Sequence, residues 1–164
     1  MRKIFTLVLF LGPLFTLSCF SQEIQVERMR ISWEYQNDRV RFTASAPDDG
    51  WVALGFNGKN NIVGSNLIMV GVQGSKTTAE DFYVVSAGNP KPVATLGSKS
   101  QIEDITGEDK NGITTISFTL PIKAIDEYHK DLSAGKKLWL ICAYSMEDDF
   151  DHHSRMRRHV QITL

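Results

Sequence analysis

Two apolar segments decide the fold of this chain: Asp49-Gly-Trp-Val-Ala-Leu-Gly-Phe-Asn57 and Gly64-Ser-Asn-Leu-Ile-Met-Val-Gly-Val72. The loop between them is rich in Gly and Asn, which favour turns because they tolerate left-handed backbone conformations. Apolar runs of this length, bounded by turn residues, are typical of β-strands. The two segments therefore predict a pair of strands within a β-rich domain.

The surrounding sequence alternates between apolar and polar residues with a period of two. Within residues 39–46 the apolar side chains occupy the even positions, and Ile31, Trp33 and Tyr35 alternate in the same way. This pattern is typical of strands with one buried face. Further strands are predicted at residues 66–72, 79–86, 113–120, 138–144 and 160–164. Short strands separated by turns predict an all-β fold, an immunoglobulin-like antiparallel β-sandwich of two packed sheets.

Residues 121–132 form the one segment with helical periodicity. Pro121 suits the first turn of a helix, where no N–H donor is needed, and Ile122, Ile125 and Tyr128 follow at helical spacing. The sequence therefore predicts one short crossover helix between the sheets. We expect His129, within this helix, to lie on the surface.

The N-terminus has the layout of a secretory signal peptide. The basic start Met1-Arg-Lys3 precedes an apolar run over residues 4–17, and small residues follow up to Ser21. The run is shorter than the about 20 residues that a transmembrane helix needs. We therefore expect a signal peptide at residues 1–21, a single domain at residues 22–164, and a secreted or periplasmic location.

The two cysteines have different expected roles. The stretch Thr16-Leu-Ser-Cys19 partly resembles a bacterial lipobox, so a lipoprotein anchored at Cys19 is the alternative to cleavage after Ser21. In either case Cys142 is the only thiol of the folded domain, and no internal disulfide can form. Because Cys142 lies in an apolar strand, we expect it to pack as a small hydrophobic side chain.

Charge and motif content exclude several functional classes. Removal of residues 1–21 leaves 16 Lys and Arg against 19 Asp and Glu, so the mature chain has no basic surplus to attract nucleic acid. The sequence has no Gly-x-Ser-x-Gly elbow, no His-Glu-x-x-His pair and no phosphate-binding loop. We therefore expect a binding domain without catalytic activity of its own.

Five segments together resemble the DOMON domain. The central pair of strands is followed by Thr78-Ala-Glu-Asp-Phe-Tyr83, Gly112-Ile-Thr-Thr-Ile-Ser-Phe118 and Leu138-Trp-Leu-Ile-Cys-Ala-Tyr144, in the order and spacing of that family. The resemblance covers residues 31–164 and is to a single-domain, exported, bacterial-type member. It implies a β-sandwich that binds haem or sugars outside the cytoplasm.

The resemblance also implies where a haem would be held. Haem-binding members hold a b-type haem between Met and His, and the position of the family's Met is occupied here by Ile62, which has no lone pair to donate. Met69 is the candidate substitute. His152 and His153 lie where the family's axial His falls, and inward parity along the last strand favours His152.

The resemblance leaves haem binding and binding without a cofactor open, and the residues before the last strand add copper as a third alternative. With haem b as cofactor, Arg155 and its neighbours Arg157 and Arg158 would pair with the propionates, and the partner would be a membrane cytochrome or another redox protein. Without a cofactor, the domain would bind a glycan or a partner protein, with exposed aromatic residues as stacking platforms. The cluster of His, Met and Asp over residues 148–159 could instead bind copper. We take haem as the leading hypothesis.

Overall fold

A computed structural model describes residues 21–164 as two antiparallel sheets packed face to face. The strands are β1 (Gln22–Val26), β2 (Met29–Gln36), β3 (Arg39–Pro47), β4 (Val52–Asn57), β5 (Asn66–Gln73), β6 (Lys76–Ser86), β7 (Asn89–Pro92), β8 (Glu103–Lys110), β9 (Ile113–Pro121), β10 (Lys137–Tyr144) and β11 (Met156–Thr163). One sheet has the strand order β1-β2-β3-β9-β8, and the other has the order β11-β10-β4-β5-β6-β7. The predicted antiparallel β-sandwich is confirmed.

The main core lies between the two sheets and follows from the period-two pattern. Along β3 the side chains alternate between half-buried and buried, and Phe42 is one of the buried set. Its ring centroid lies 4.8 Å from that of Phe56 in the opposite sheet and 5.8 Å from that of Phe118 in its own sheet. These three fully buried rings join the sheets at their centre.

The six-stranded sheet is covered on its outer face as well. Every residue of β4 is buried, although Val52, Leu54 and Phe56 face the main core and Ala53 and Gly55 face away from it. The outward-facing residues join a second, smaller apolar cluster, which consists of Trp51, Ala53, Leu67, Met69, Val84 and Ala143. Burial on both faces explains why β4 and β5 read as nearly continuous apolar runs.

The predicted crossover helix is wrong. Pro121 is the last residue of β9, residues 122–132 form turns, bends and irregular backbone, and the one helix among residues 21–164 is a short 3-10 turn at Val93–Leu96. Backbone groups of this segment bond to distant residues: the Ile122 N–H donates to the Asp38 carbonyl at 2.9 Å, and the Leu132 carbonyl accepts from the Tyr35 hydroxyl at 2.9 Å. Tertiary contacts have therefore overridden the local helical pattern.

His129 is buried and not on the surface as predicted. Its Nδ1 lies 2.6 Å from Asp126 Oδ1, and its Nε2 lies 3.3 Å from Oδ2 of the fully buried Asp81. Burial lowers the pKa of His129, but the hydrogen bonds and charges of the two carboxylates outweigh it and raise the pKa above its ordinary value. The segment that was expected to be helical is thus fixed to β6 by a buried charge cluster.

Cys142 is a fully buried, free thiol in the main core, which confirms its predicted packing role. Burial raises the pKa of this thiol to about 12, so it is protonated and unreactive in the folded domain. The predicted lipidation site Cys19 and nearly all of the predicted signal peptide lie outside the described residues. Within residues 21–164, no helix is long and apolar enough to cross a membrane.

Candidate ligand-binding site

A cavity of about 220 Å³ lies on the outer face of the six-stranded sheet, above β4, β5 and β10. Apolar side chains form its floor and one wall: Trp51, Ala53, Ile62, Leu67, Met69, Val84, Ile141 and Ala143. Its other wall belongs to the loop between β10 and β11, with Phe150, His152 and His153, and to Arg157 of β11. The cavity is therefore an apolar trough with imidazole and guanidinium groups along one side.

Small residues at the centre of the sheet create this trough. Arg157, Ala143, Ala53 and Met69 are paired directly across β11, β10, β4 and β5. Adjacent strands lie about 4.8 Å apart, so this row of four paired residues extends over roughly 14 Å across the sheet. Two alanines in the middle leave open space between the long side chains of Met69 and Arg157. Gly55 is the next residue of β4 on the same face as Ala53. The side chains of Leu67 and Ile141 pack against it, because an added Cβ would lie only 3.1–3.3 Å from their atoms.

The structure brings together the predicted ligands Met69, His152 and His153 at this one cavity. The two histidines lie in the loop and not on β11, which begins at Met156, so strand parity does not choose between them. His152 Nδ1 lies 3.4 Å from Asp149 Oδ2, and both side chains are more than half exposed. Imidazole and thioether donors thus share one apolar space, on the outer face and not between the sheets.

Ile62 also lines the cavity, at the position where the family resemblance implies a methionine. It stands in the loop between β4 and β5 and packs partly buried against the outer apolar cluster. The Ser65 N–H and hydroxyl both donate to the Ile62 carbonyl, at 3.1 and 2.7 Å, which fixes this corner of the loop. Where Ile62 offers no donor, Met69 on the following strand β5 contributes a thioether to the same cavity.

Arg157 is the arginine that lines the cavity. The predicted Arg155 lies outside the lining and forms an ion pair with Asp48, at 3.5 Å between Nε and Oδ2. Arg158 is likewise paired, with Glu27. The sequence predicts Arg157 only as a neighbour of Arg155. Arg157 and His159 are two residues apart on β11 and therefore share its outer face, which is the signal that could have placed Arg157 at an outer-face site. A direct role for Arg155 in cofactor binding stays a prediction.

His159 is half-buried on the outer face of β11, with its Nδ1 3.0 Å from Asn60 Oδ1. Burial and the charge of Arg157 hold the pKa of His159 below its ordinary value. It does not line the cavity. Because His159 lies on the same face as the cavity but outside its lining, its substitution is a control for substitutions of His152 and His153.

Several aromatic side chains that could stack on a sugar are instead buried or packed against other rings. Trp33 and Trp51 are buried, and Tyr83 packs edge-on against Tyr128 with their ring centroids 5.2 Å apart. Phe150 is half-buried in the cavity wall, 6.4 Å from Phe82 and perpendicular to it. Of these rings, Phe150 is the one best placed to stack on a bound molecule.

The copper hypothesis gains no support from the geometry. Across residues 21–164, no three His, Cys, Asp or Glu side chains converge on a point where they could hold a metal ion. Met156 faces the main core, away from His152 and His153. A haem needs only two axial donors from the protein, which the cavity can offer as a thioether and an imidazole.

Asp148 fixes the loop to β5 at an electrostatic cost. Burial raises the pKa of its carboxyl, and the charges of Asp109 and Asp49 add to the effect, whereas hydrogen bonds from the Val72 backbone and the Gln73 side chain oppose it. Its Oδ1 is buried and has no hydrogen-bond partner among the described residues. The ionised form of this carboxyl is therefore less favourable in the folded state than in water.

We expect the substitution Asp148→Asn to raise the thermal midpoint at pH 7. A carboxyl whose folded-state pKa is raised contributes stability that is present below its unfolded pKa of about 3.9 and is lost as the pH rises through the folded value. The amide removes the unfavourable charge and keeps an oxygen that can accept from Val72. Thermal unfolding at pH 7 and pH 4 measures the effect, which should shrink at pH 4. A lower midpoint of the variant at pH 7 would contradict this expectation.

Residues 25–145 of the chain match the DOMON domain. The chain belongs to the DOMON family. The matched region includes the cavity floor but ends before the loop that carries His152 and His153. The match therefore does not extend to these two histidines, which line the cavity in the structure.

Similar proteins give the DOMON fold a structural context. The chain is 24% identical over 119 residues to MOXD1 homolog 2 of Drosophila melanogaster, and it spans 15% of that protein's length. Its fold is similar to the cytochrome b domain of pyranose dehydrogenase from Coprinopsis cinerea, with a TM-score of 0.59 and 13% identity over 81% of this chain and 76% of that one. The cytochrome domain of Myriococcum thermophilum cellobiose dehydrogenase also gives a TM-score of 0.59, with 9% identity over 88% of this chain and 81% of that one. The shared property is the fold.

Proposed function

We propose that this DOMON domain is an exported electron-transfer module that binds a b-type haem in the outer-face cavity. One observation carries the proposal: the Met69 thioether and the imidazoles of His152 and His153 line the same apolar cavity. Haem iron with thioether and imidazole at its axial positions passes single electrons and offers no open position for oxygen chemistry. The likeness of the fold to two cytochrome domains supports the same proposal.

The chain's own residues would bind and shield the group. Trp51, Ala53 and Ala143 provide an apolar floor, which favours a flat macrocycle and excludes water. Arg157 provides a guanidinium at the cavity edge for a carboxylate. The cavity volume of about 220 Å³ is below the roughly 300–1,000 Å³ of typical ligand sites, so the loop between β10 and β11 would open to admit a haem.

Export and a redox partner belong to the same proposal. The predicted signal peptide at residues 1–21 would place the domain in the periplasm or outside the cell. A domain that only carries electrons needs a partner that supplies or accepts them, such as a membrane cytochrome. We propose no catalytic activity for the domain itself.

Haemin titration of the purified mature domain tests this function. We expect the wild-type protein to develop a sharp Soret band, with resolved α and β bands after reduction, as for a low-spin six-coordinate iron. A variant with both His152→Ala and His153→Ala should bind haemin at least about 100-fold more weakly, which corresponds to about 2.7 kcal/mol. Met69→Leu should give a high-spin spectrum because one axial donor is lost.

His159→Ala is the matched control, because His159 lies on the same face but outside the cavity lining. Its haemin affinity and spectrum should equal those of the wild type. If the double histidine variant keeps the wild-type spectrum, the ligand assignment is wrong. If the wild-type protein gives no Soret band, the haem proposal fails.

A glycan is the second candidate ligand, and the half-buried Phe150 in the cavity wall favours it. A ring at the edge of an apolar trough can stack on a sugar face. In this case the purified protein would be colourless, and its tryptophan fluorescence would respond to glycans because Trp51 lines the cavity. The haemin titration therefore also separates the two candidates.

A further inference from the structure

We propose that Gly71 is a positioning residue for the ligand site, because its missing side chain lets the loop of residues 145–155 lie directly against β5. This inference rests on the proposed function, since the loop carries His152 and His153. Gly71 stands on the outer face of β5, two residues after Met69. It thus links the strand that provides the thioether to the loop that provides the imidazoles.

The contact at Gly71 is close and involves the middle of the loop. A Cβ added at this position would lie 3.3 Å from the carbonyl oxygen of Asp148, 3.4 Å from Cε1 of Phe150 and 3.6 Å from Oδ1 of Asp148. The first of these separations is shorter than most Cβ contacts, so the loop would have to move by a few tenths of an ångström. His152 follows Phe150 by only two residues, so a shift at the contact is passed on to it.

The rest of the loop is fixed independently of Gly71. At its start, the Ser145 N–H donates to the Trp51 carbonyl at 3.0 Å, and the Trp51 N–H donates to the Glu147 carbonyl at 3.1 Å. At its end, the Arg155 N–H donates to the Tyr144 carbonyl at 2.8 Å. Between these two anchors, Gly71 supports the middle of the loop from below, and the Asp148 carboxyl adds its bond to the Val72 backbone.

Gly50 also lies under the loop, but a substitution there would not separate loop position from stability as one at Gly71 does. A Cβ at Gly50 would lie 2.6 Å from the Glu147 nitrogen and 2.7 Å from the Met146 carbonyl carbon. These are backbone atoms at the start of the loop, where the Glu147 N–H donates to the Ser145 hydroxyl at 3.2 Å and the Glu147 carbonyl accepts from the Trp51 N–H, so a substitution at Gly50 would displace the anchored start of the loop. At Gly71 the longer separations allow the loop to shift while the strands stay in place. Gly71→Ala therefore separates positioning of the histidines from stability.

The test compares Gly71→Ala with Gly58→Ala, in which the added Cβ meets no atom within 4 Å. Amide hydrogen exchange over residues 148–153 reports the position of the loop without any ligand. We expect exchange to accelerate at least about 10-fold in Gly71→Ala and to stay unchanged in Gly58→Ala. Haemin affinity should fall at least about 10-fold in Gly71→Ala alone, with a partial change to a high-spin spectrum.

Val70→Ala controls for general loss of stability. Val70 faces the main core, next to Gly71 in sequence, and its truncation weakens the same strand without touching the loop. If Val70→Ala weakens haemin binding as much as Gly71→Ala does at a similar thermal midpoint, the positioning role is overturned. Unchanged exchange of residues 148–153 in Gly71→Ala overturns it as well. If the wild type binds no haemin, the proposed function fails, and the exchange comparison alone decides whether Gly71 positions the loop.

Discussion

Replacing Asp81 by Ala is expected to lower the free energy of unfolding by about 3–5 kcal/mol, the usual cost of removing one partner from a buried ion pair. Asp81 is fully buried, and its carboxylate accepts from the Asn66 amide at 2.6 Å and the Gln101 N–H at 3.0 Å. Without it, the Gln101 N–H loses its acceptor, the Asn66 amide keeps only the Phe82 carbonyl at 3.2 Å, and His129 retains only Asp126. A domain is stable by only about 5–15 kcal/mol in total, so chemical denaturation should show the loss clearly.

An exposed ion pair provides the control for this substitution. Glu23 lies 3.4 Å from Arg30, and both side chains are more than half exposed. Such pairs contribute little because water and salt screen them, so Glu23→Ala should change the free energy of unfolding by no more than about 0.5 kcal/mol. If the two variants lose the same free energy of unfolding, burial of Asp81 does not increase its contribution to stability.

The loss at Asp81 should also depend on pH through His129. The two neighbouring carboxylates raise the pKa of His129 above its ordinary value despite burial. A raised folded-state pKa contributes stability that is complete below the unfolded value of about 6.5 and is lost as the pH rises through the folded value. Asp81→Ala should therefore cost more at pH 6 than at pH 9. A loss that is the same at both pH values would contradict the charged state of His129.

The strands inside the sheets could all be predicted, whereas of the four edge strands only the second half of β11 could. Strands β2, β3 and β9 bury one face against the core, and their sequences alternate as that environment requires. The strands that were not predicted, β1, β7 and β8, are all at sheet edges. Edge strands pair on one side only, so they tolerate the two prolines of β7 and the charges of β8. Their sequences carry no burial pattern.

The crossover segment shows why a local pattern can mislead. Pro121 and the apolar spacing that follows it favour a helical turn, but the segment's free energy is lower with its groups bonded to distant residues. The Ile122 N–H donates to the Asp38 carbonyl at 2.9 Å, and His129 reaches the buried Asp81 on β6. Asp81 is 48 residues away in sequence from His129. No local rule pairs them, so the burial of His129 could not be predicted.

The ligand candidates could be chosen from the sequence, but the face that brings them together could not. Residue type and family resemblance point to Met69, His152 and His153, and inward parity along the last strand favours His152 of the two histidines. In the structure, inward positions of β11 such as Met156 are filled by the main core. The free space lies outward, above Ala53 and Ala143. Alternating small residues in a strand that is apolar on both faces are a signal for such a trough.

Filling the trough should abolish ligand binding while the fold is retained. In Ala53→Phe, a ring would rise from the floor between Met69 and Ala143, in the space that a flat ligand needs. We expect haemin affinity to fall at least about 100-fold, equivalent to about 2.7 kcal/mol. Because the cavity provides about 220 Å³, the added ring can fit without displacing the main core. The thermal midpoint and the circular dichroism spectrum should stay close to those of the wild type.

Two further variants test whether the ligand binds in this cavity. Ala143→Leu fills the same trough from β10 and should have the same effect, which guards against poor folding of Ala53→Phe. Ala124→Leu adds the same bulk at an exposed position outside the cavity and should bind haemin as the wild type does. If both floor variants keep wild-type affinity, the ligand binds elsewhere on the domain. If they lose affinity while His152→Ala and His153→Ala together do not, the cavity binds the ligand by apolar contact and the iron takes its axial donor from another residue.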